Sequence, residues 1–177
     1  MKKITLLVSI MALSAVFSSN VLAQSAPASV NSINTTTTIV APIAISTTTP
    51  LNFGSFATLS TGGTLALSPL GVRTATGGVK LTTATGSPTA AAFKVSGEGA
   101  YAYTITLPTA LTLTTAALGT GTKTMSVGTF ESSIGTAGTL VSGSQDFTVG
   151  ALLTVGSEQV VGTYLNATGF TVTVNYN

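Results

Sequence analysis

The chain has no histidine, cysteine or tryptophan, and only 6% of its 177 residues are charged. Histidine and cysteine supply most general bases, nucleophiles and zinc ligands, so their absence excludes a Ser-His-Asp triad and argues against catalysis. The sequence is rich instead in threonine, serine, glycine, alanine and apolar residues, which favour strands and turns. We therefore expect a β-protein that is not an enzyme and has no catalytic residues, no metal site and no cofactor.

The few charged residues are scattered along the sequence. The four carboxylates stand singly in turn-like or strand-end contexts, which indicates solvated surface charges rather than a paired acid and base; they are Glu98, Glu131, Asp146 and Glu158. Beyond the two lysines at the N-terminus, four basic residues remain to balance them. A chain without a basic surface lacks the main driving force for binding phosphate backbones, so we expect no nucleic-acid partner.

The N-terminus is typical of a secretory signal peptide. Lys2 and Lys3 precede an almost wholly apolar run over residues 4–17, and Val21-Leu22-Ala23 ends the segment with a small residue. This pattern predicts cleavage after Ala23 and a secreted protein in the periplasm, at the cell surface or in an extracellular fibre. A transmembrane anchor is the weaker alternative, because the apolar run is short for a bilayer core of about 30 Å. We expect no membrane span in the mature chain.

The remaining sequence divides into an extended N-terminal segment, residues 24–38, and a single domain, residues 39–177. The domain consists of short alternating apolar runs separated by glycine-rich turns, with Gly62-Gly63 taken as one turn and the clearest alternation over 101–107, 147–155 and 170–176. Such spacing predicts an all-β fold, an antiparallel sandwich or barrel. An outer-membrane barrel is less consistent with it, because the strands are short and the aromatic residues form no girdles.

The C-terminal strand is the most suggestive element. Its apolar residues alternate and no charged residue or proline interrupts them. One interpretation is a central, fully paired strand. The other is an exposed edge that pairs with a strand of another subunit. We name as the candidate strand-exchange edge Phe170, Val172, Val174 and Tyr176. The candidate donor is the segment 24–33, with the apolar side chains of Ala28, Val30 and Ile33; its alternative interpretation is a flexible tail.

Several local motifs occur together in a recognisable order. Among them are Leu51-Asn52-Phe53-Gly54, the segment Phe93 to Gly97 and the C-terminal Val172-Thr173-Val174-Asn175-Tyr176. In these motifs the chain resembles the DUF4402 family of secreted bacterial domains of unknown function. The resemblance implies an immunoglobulin-like β-sandwich in exported proteins of Gram-negative bacteria, without an established activity. More loosely, Gly162 and Tyr176 resemble a pattern of fimbrial (pilin) subunits, from many of which this chain differs by having no disulfide.

These observations favour a structural or adhesive surface protein, a fimbria-like fibre subunit assembled by β-strand donation. Its expected partners are another copy or another surface subunit, and a periplasmic chaperone. The alternative is a monomeric sandwich that binds a glycan or surface component through its loops, for which we would expect exposed tyrosines, among Tyr101, Tyr103, Tyr164 and Tyr176, as platforms for sugar rings. An outer-membrane barrel or an enzyme is a third and weaker hypothesis.

Overall fold

The computed structural model describes residues 33–177. The predicted signal peptide, its cleavage site at Ala23, and Ala28 and Val30 of the candidate donor segment lie outside the described residues. The chain divides into two units, Met1–Thr38 and Ile39–Asn177. In the first unit, residues 33–38 form no strand and are exposed to solvent. The second unit carries all of the strands described below.

The second unit is built from ten β-strands, and every pairing between them is antiparallel. In chain order they are β1 Ala44–Thr49, β2 Phe56–Leu67, β3 Arg73–Leu81, β4 Ala91–Ser96, β5 Ala102–Thr106, β6 Ala110–Thr114, β7 Thr124–Ser132, β8 Ala137–Thr139, β9 Ser144–Val155 and β10 Thr173–Tyr176. Residues 33–177 contain no helix, so none there could span a membrane. The predicted all-β, antiparallel class is confirmed.

Strand β9 organises the larger, seven-stranded sheet. Its first half pairs with β4 and its second half with β2, and β7 runs along its opposite edge. Val149 shows the arrangement, because it pairs with Ala91 on one side and with Ser132 on the other. The sheet is completed by β1 beside β4, β3 beside β2 and β6 beside β7, while β10, β5 and β8 form a separate three-stranded sheet in that order.

Two apolar clusters form the core of this unit. One lies between the sheets and combines Phe93 and Phe147 of the large sheet with Tyr103, Ile105 and Val174 of the small one. The other lies on the second half of β9 and includes Leu65, Val127 and Leu153. Strand β9 contributes to both clusters from one face, because alternate residues of a strand point the same way: Phe147 and Val149 join the first cluster, and Ala151, Leu153 and Val155 join the second.

Glycine-rich segments predicted as turns lie within strands. Gly62 and Gly63 are inside β2, where the pairing register with β3 shifts between Thr58 and Gly63. Gly62 has φ +66°, and a Cβ atom on Gly63 would collide with the Thr76 carbonyl oxygen. The positive φ and the close approach of the two backbones both require glycine, as is typical of a β-bulge. The prediction of a turn at Gly62-Gly63 was therefore wrong.

Candidate strand-exchange site

Strand β10 lies at an edge of the small sheet, because it pairs only with β5 among the described strands. The Asn177 N–H donates to the Ala102 carbonyl oxygen over 3.2 Å. Hydrogen-bonded and non-hydrogen-bonded positions alternate in an antiparallel pair. The backbone groups of Thr173 and Asn175 therefore face β5, and those of Val174 and Tyr176 face outward. We call this outward row the terminal edge.

The strand is shorter than the alternation predicts. Phe170 and Val172 precede β10 and are half-buried against the core cluster between the sheets. The Phe170 ring lies 5.0 Å from that of Phe130, measured between centroids. Continuing the β10–β5 register would place Thr171 opposite Pro108, which has no N–H to extend the ladder. Of the four predicted edge residues, only Val174 and Tyr176 lie in β10.

Three of the four other outer strands carry features that discourage pairing with a further strand, and the fourth, β8, is only three residues long. Strand β3 holds Arg73 and Lys80, and β1 lies between Pro42 and Pro50. The outer side of β6 is partly taken, because Thr114 exchanges two backbone hydrogen bonds of 2.9 Å with Leu165. Strand β10 has neither charge nor proline. Charged side chains and prolines are the usual protection of sheet edges, so the terminal edge is the best template for an added strand.

Tyr176 also connects the start of the domain to its end through hydrogen bonds of its hydroxyl. Its hydroxyl accepts a 2.7 Å hydrogen bond from the Glu98 N–H and donates one of 3.0 Å to the Ala41 carbonyl oxygen. The Ala41 N–H in turn donates to Glu98 Oε2 over 3.3 Å. A Cβ atom on Gly97 would collide with this hydroxyl. We call the hydrogen-bonded set of Ala41, Glu98 and Tyr176 the Tyr176 clasp. It fixes the point at which the preceding chain leaves the domain.

The four tyrosines differ in exposure: Tyr103 is buried, Tyr164 and Tyr176 are half-buried, and Tyr101 is largely exposed. Tyr103 is fully buried and its hydroxyl donates to Gln145 Oε1 over 2.8 Å, while burial raises the pKa of this phenol. Burial raises the pKa of Tyr164 as well, and its hydroxyl donates to the Val160 carbonyl oxygen over 2.7 Å. Among the four tyrosines only Tyr101, with 46% of its surface exposed, is open to solvent.

A large cavity lies over the second half of β9. Its volume is about 950 Å³, and its floor includes Leu111, Met125, Val127 and Leu153 from β6, β7 and β9. The loops over residues 50–55 and 159–170 contribute much of the wall. No charged residue lines it. Volumes of this order and a mostly apolar lining are typical of binding sites rather than of core packing defects.

Two features of the wall are specific. The Arg73 guanidinium donates through Nη1 to the carbonyl oxygens of Phe53 and Ser55, at 3.1 and 2.8 Å, and so holds one wall loop in place. Gln159 donates through Nε2 to the Thr124 carbonyl oxygen over 2.8 Å. Its Oε1 is buried and has no partner among the described residues. A buried acceptor without a partner is costly, so an N–H or O–H from an occupant would stabilise it.

The sequence did not identify this cavity. The segment between β9 and β10 lacks any alternation, although it carries the apolar residues Val160, Val161, Tyr164 and Leu165. Apolar residues without strand periodicity were the only signal available. Of the predicted donor residues the structure describes Ile33 alone, which is in no strand and has 80% of its surface exposed.

The described residues offer no group of three or more acidic residues that could hold a metal ion. The comparisons with curated proteins and with solved structures found no match. The comparison with family models did, over residues 43–176, a range that runs from just before β1 through the end of β10. The chain therefore belongs to the family described as Domain of unknown function (DUF4402).

Proposed function

We propose that this protein is an exported structural subunit of a surface fibre, with an immunoglobulin-like β-sandwich that assembles by β-strand donation. The observation that carries the proposal is the terminal edge. Its outward backbone groups pair with no described strand, and β10 lacks the charges of β3 and the flanking prolines of β1. An added strand gains affinity from its main-chain hydrogen bonds and specificity from alternate side chains.

The sandwich is supported by the core cluster shared between the two sheets, to which both contribute inward-facing residues. The donor is segment 24–33 of another copy, which carries no charged residue and so matches the uncharged strand β10. A glycan-binding function has less support, because sugar rings need exposed aromatic faces and Tyr101 is the sole largely exposed tyrosine.

The test compares residues 24–177 with residues 35–177, each purified as a folded protein. Light scattering after size exclusion and electron microscopy measure the assembly state. We expect polymers from the longer chain and monomers from the shorter one. If both are equally stable monomers under conditions that favour assembly, the proposal of strand donation is wrong.

A matched pair of variants separates donor packing from a general effect of charge. In an extended segment, Val30 and Asn31 point to opposite faces. Val30→Asp and Asn31→Asp add the same charge at neighbouring positions of residues 24–177. We expect the first to abolish assembly, since it buries an unpaired carboxylate, and the second to preserve most of it. Equal effects would contradict insertion of the Val30 side chain.

A further inference from the structure

We infer that the cavity over β9 receives the apolar side chains of the donor segment 24–33 from a second copy, so that subunits join head to tail. This inference rests on the proposed function and names its acceptor. It differs from pairing along the terminal edge alone, which requires no cavity. Four observations within residues 39–177 support it, and each concerns a different property of the cavity or of the chain.

The first observation is the apolar mouth of the cavity. Val161 and Leu165 line it and are 95% and 54% exposed. Large apolar side chains on the rim of an apolar cavity are typical of a surface that a partner covers. Because the lining carries no charge, the occupant should be uncharged, and segment 24–33 contains no charged residue.

The second observation is the buried Gln159 Oε1, which lacks a donor among the described residues. Gln159 also lines the cavity. A peptide segment fits this requirement better than a hydrocarbon would, because it brings backbone N–H groups together with apolar side chains. The occupant is therefore expected to be a polypeptide with small or branched apolar residues.

The third observation is continuity with the terminal edge. Thr47, near the end of β1, and Phe170, three residues before β10, both line the cavity. Strands β1 and β10 are the outer strands of their two sheets at this side of the domain. A donor strand that follows the terminal edge past Phe170 would therefore reach the cavity wall.

The fourth observation is the direction in which the chain leaves the domain. The Tyr176 clasp holds Ala41 next to Glu98, just beyond the end of β4 at Ser96. Ser96 pairs with Ser144 at the start of β9, whereas the cavity extends from Phe93, opposite Phe147, toward Leu153 in the second half of β9. Along β9 the near end of the cavity is about 10 Å and its far end about 30 Å from Ser144. A segment that leaves the domain beyond one end of the acceptor gives a head-to-tail contact between copies, which extends into an open fibre when the rotation between them does not close a ring.

The same geometry also allows a competing arrangement, in which the donor segment fills the cavity of its own copy. Residues 24–38 could extend over about 50 Å, which is long enough to fold back into their own cavity. Self-filling would leave a closed monomer, and the experiment must separate it from exchange between copies. The absence of cysteine from the chain makes disulfide trapping clean, because only the introduced thiols can form disulfides.

The experiment uses residues 24–177 with single cysteines. Val30→Cys places a thiol in the donor, Thr163→Cys places one on the exposed rim of the cavity, and Val141→Cys places one on an exposed loop near the Tyr176 clasp. Mixtures of the donor variant with each acceptor variant are oxidised and separated without reductant. We expect at least a five-fold excess of the disulfide-linked heterodimer between donor and acceptor variants for Thr163→Cys over Val141→Cys. Equal yields, or an excess for Val141→Cys, would overturn the inference.

The double variant Val30→Cys/Thr163→Cys distinguishes the two arrangements. A ladder of linked oligomers supports exchange between copies, and a single internally linked monomer overturns it in favour of self-filling. A further outcome separates this inference from the proposed function. If residues 24–177 polymerise but Val30→Cys links to a cysteine at Asn175 of β10 and not to one at Thr163, strand donation holds and the cavity is not its acceptor.

A second measurement needs no cysteine substitution, so it remains valid if a cysteine variant fails to fold. Met125 lines the cavity with only 6% of its surface exposed, and it is the sole methionine of residues 24–177. Its methyl resonance therefore reports on the cavity. A synthetic peptide of residues 24–35 added to folded residues 35–177 should shift that resonance, and a scrambled peptide should not. An unchanged resonance at saturating peptide would overturn the inference.

Discussion

Replacing Tyr176 by phenylalanine tests the Tyr176 clasp most directly. The change removes one hydroxyl and keeps the ring, so it deletes the hydrogen bonds at 2.7 Å from the Glu98 N–H and at 3.0 Å to the Ala41 carbonyl oxygen. A net contribution of roughly 0.5–1.5 kcal/mol for each bond predicts a loss of about 2 kcal/mol of unfolding free energy. The partly buried Glu98 N–H would lose its described partner, which raises the expected cost.

The assay is urea unfolding of residues 24–177 followed by far-ultraviolet circular dichroism. With a denaturant slope of roughly 1–3 kcal/mol per molar, the midpoint should fall by about 1 M. Tyr101→Phe is the matched control, because the Tyr101 ring lies 5.6 Å from that of Tyr176 and its hydroxyl has no hydrogen-bond partner among the described residues. Gly97→Ala would place a Cβ atom against the Tyr176 hydroxyl and should therefore also lower the unfolding free energy. If Tyr176→Phe costs no more than Tyr101→Phe, the reasoning about the clasp fails.

Three further predictions follow from the packing. Gly138→Ala should destabilise the small sheet by about 2 kcal/mol, since its Cβ would collide with the Tyr103 ring; a thermal melt that matches the unmodified protein would contradict this. Arg73→Met should loosen the loop around Ser55 and raise its amide hydrogen exchange several-fold, without changing exchange in β5. Burial raises the pKa of Tyr103 above its ordinary value of 10.0, so its stabilising contribution is complete below that pH and is lost as the pH rises through the folded-state pKa. Alkaline unfolding should therefore depend on Tyr103, and Tyr103→Phe should show a shallower loss of stability above about pH 10.

The sequence was sufficient for the strand class where alternation was long and uninterrupted. The run over 147–155 became most of β9, because a strict period of two leaves no other regular structure that buries one face. The same reasoning failed at Gly62-Gly63, where glycine signals both a turn and a bulge. The pairing with the neighbouring strand decides between a turn and a bulge. The sequence of one strand does not reveal which strand pairs with it.

The C-terminal strand illustrates the same limit. Alternation predicted a strand from Phe170 onward, but the ladder starts only at Thr173, because Pro108 and the aromatic contacts of Phe170 end the pairing. Whether that strand was central or at an edge was left open by the alternation, since both positions bury one face. The sheet order decided it by placing β10 outside β5.

The amino-acid sequence by itself determined the all-β class, because its composition and period-two pattern leave no apolar helical face to bury. It also determined the scarcity of reactive side chains, which is a property of composition alone. The tertiary structure decided the terminal edge, the Tyr176 clasp and the cavity over β9. Each of these depends on residues far apart in the chain, such as Ala41 with Tyr176 or Phe53 with Leu153, that come together only when the sheets form.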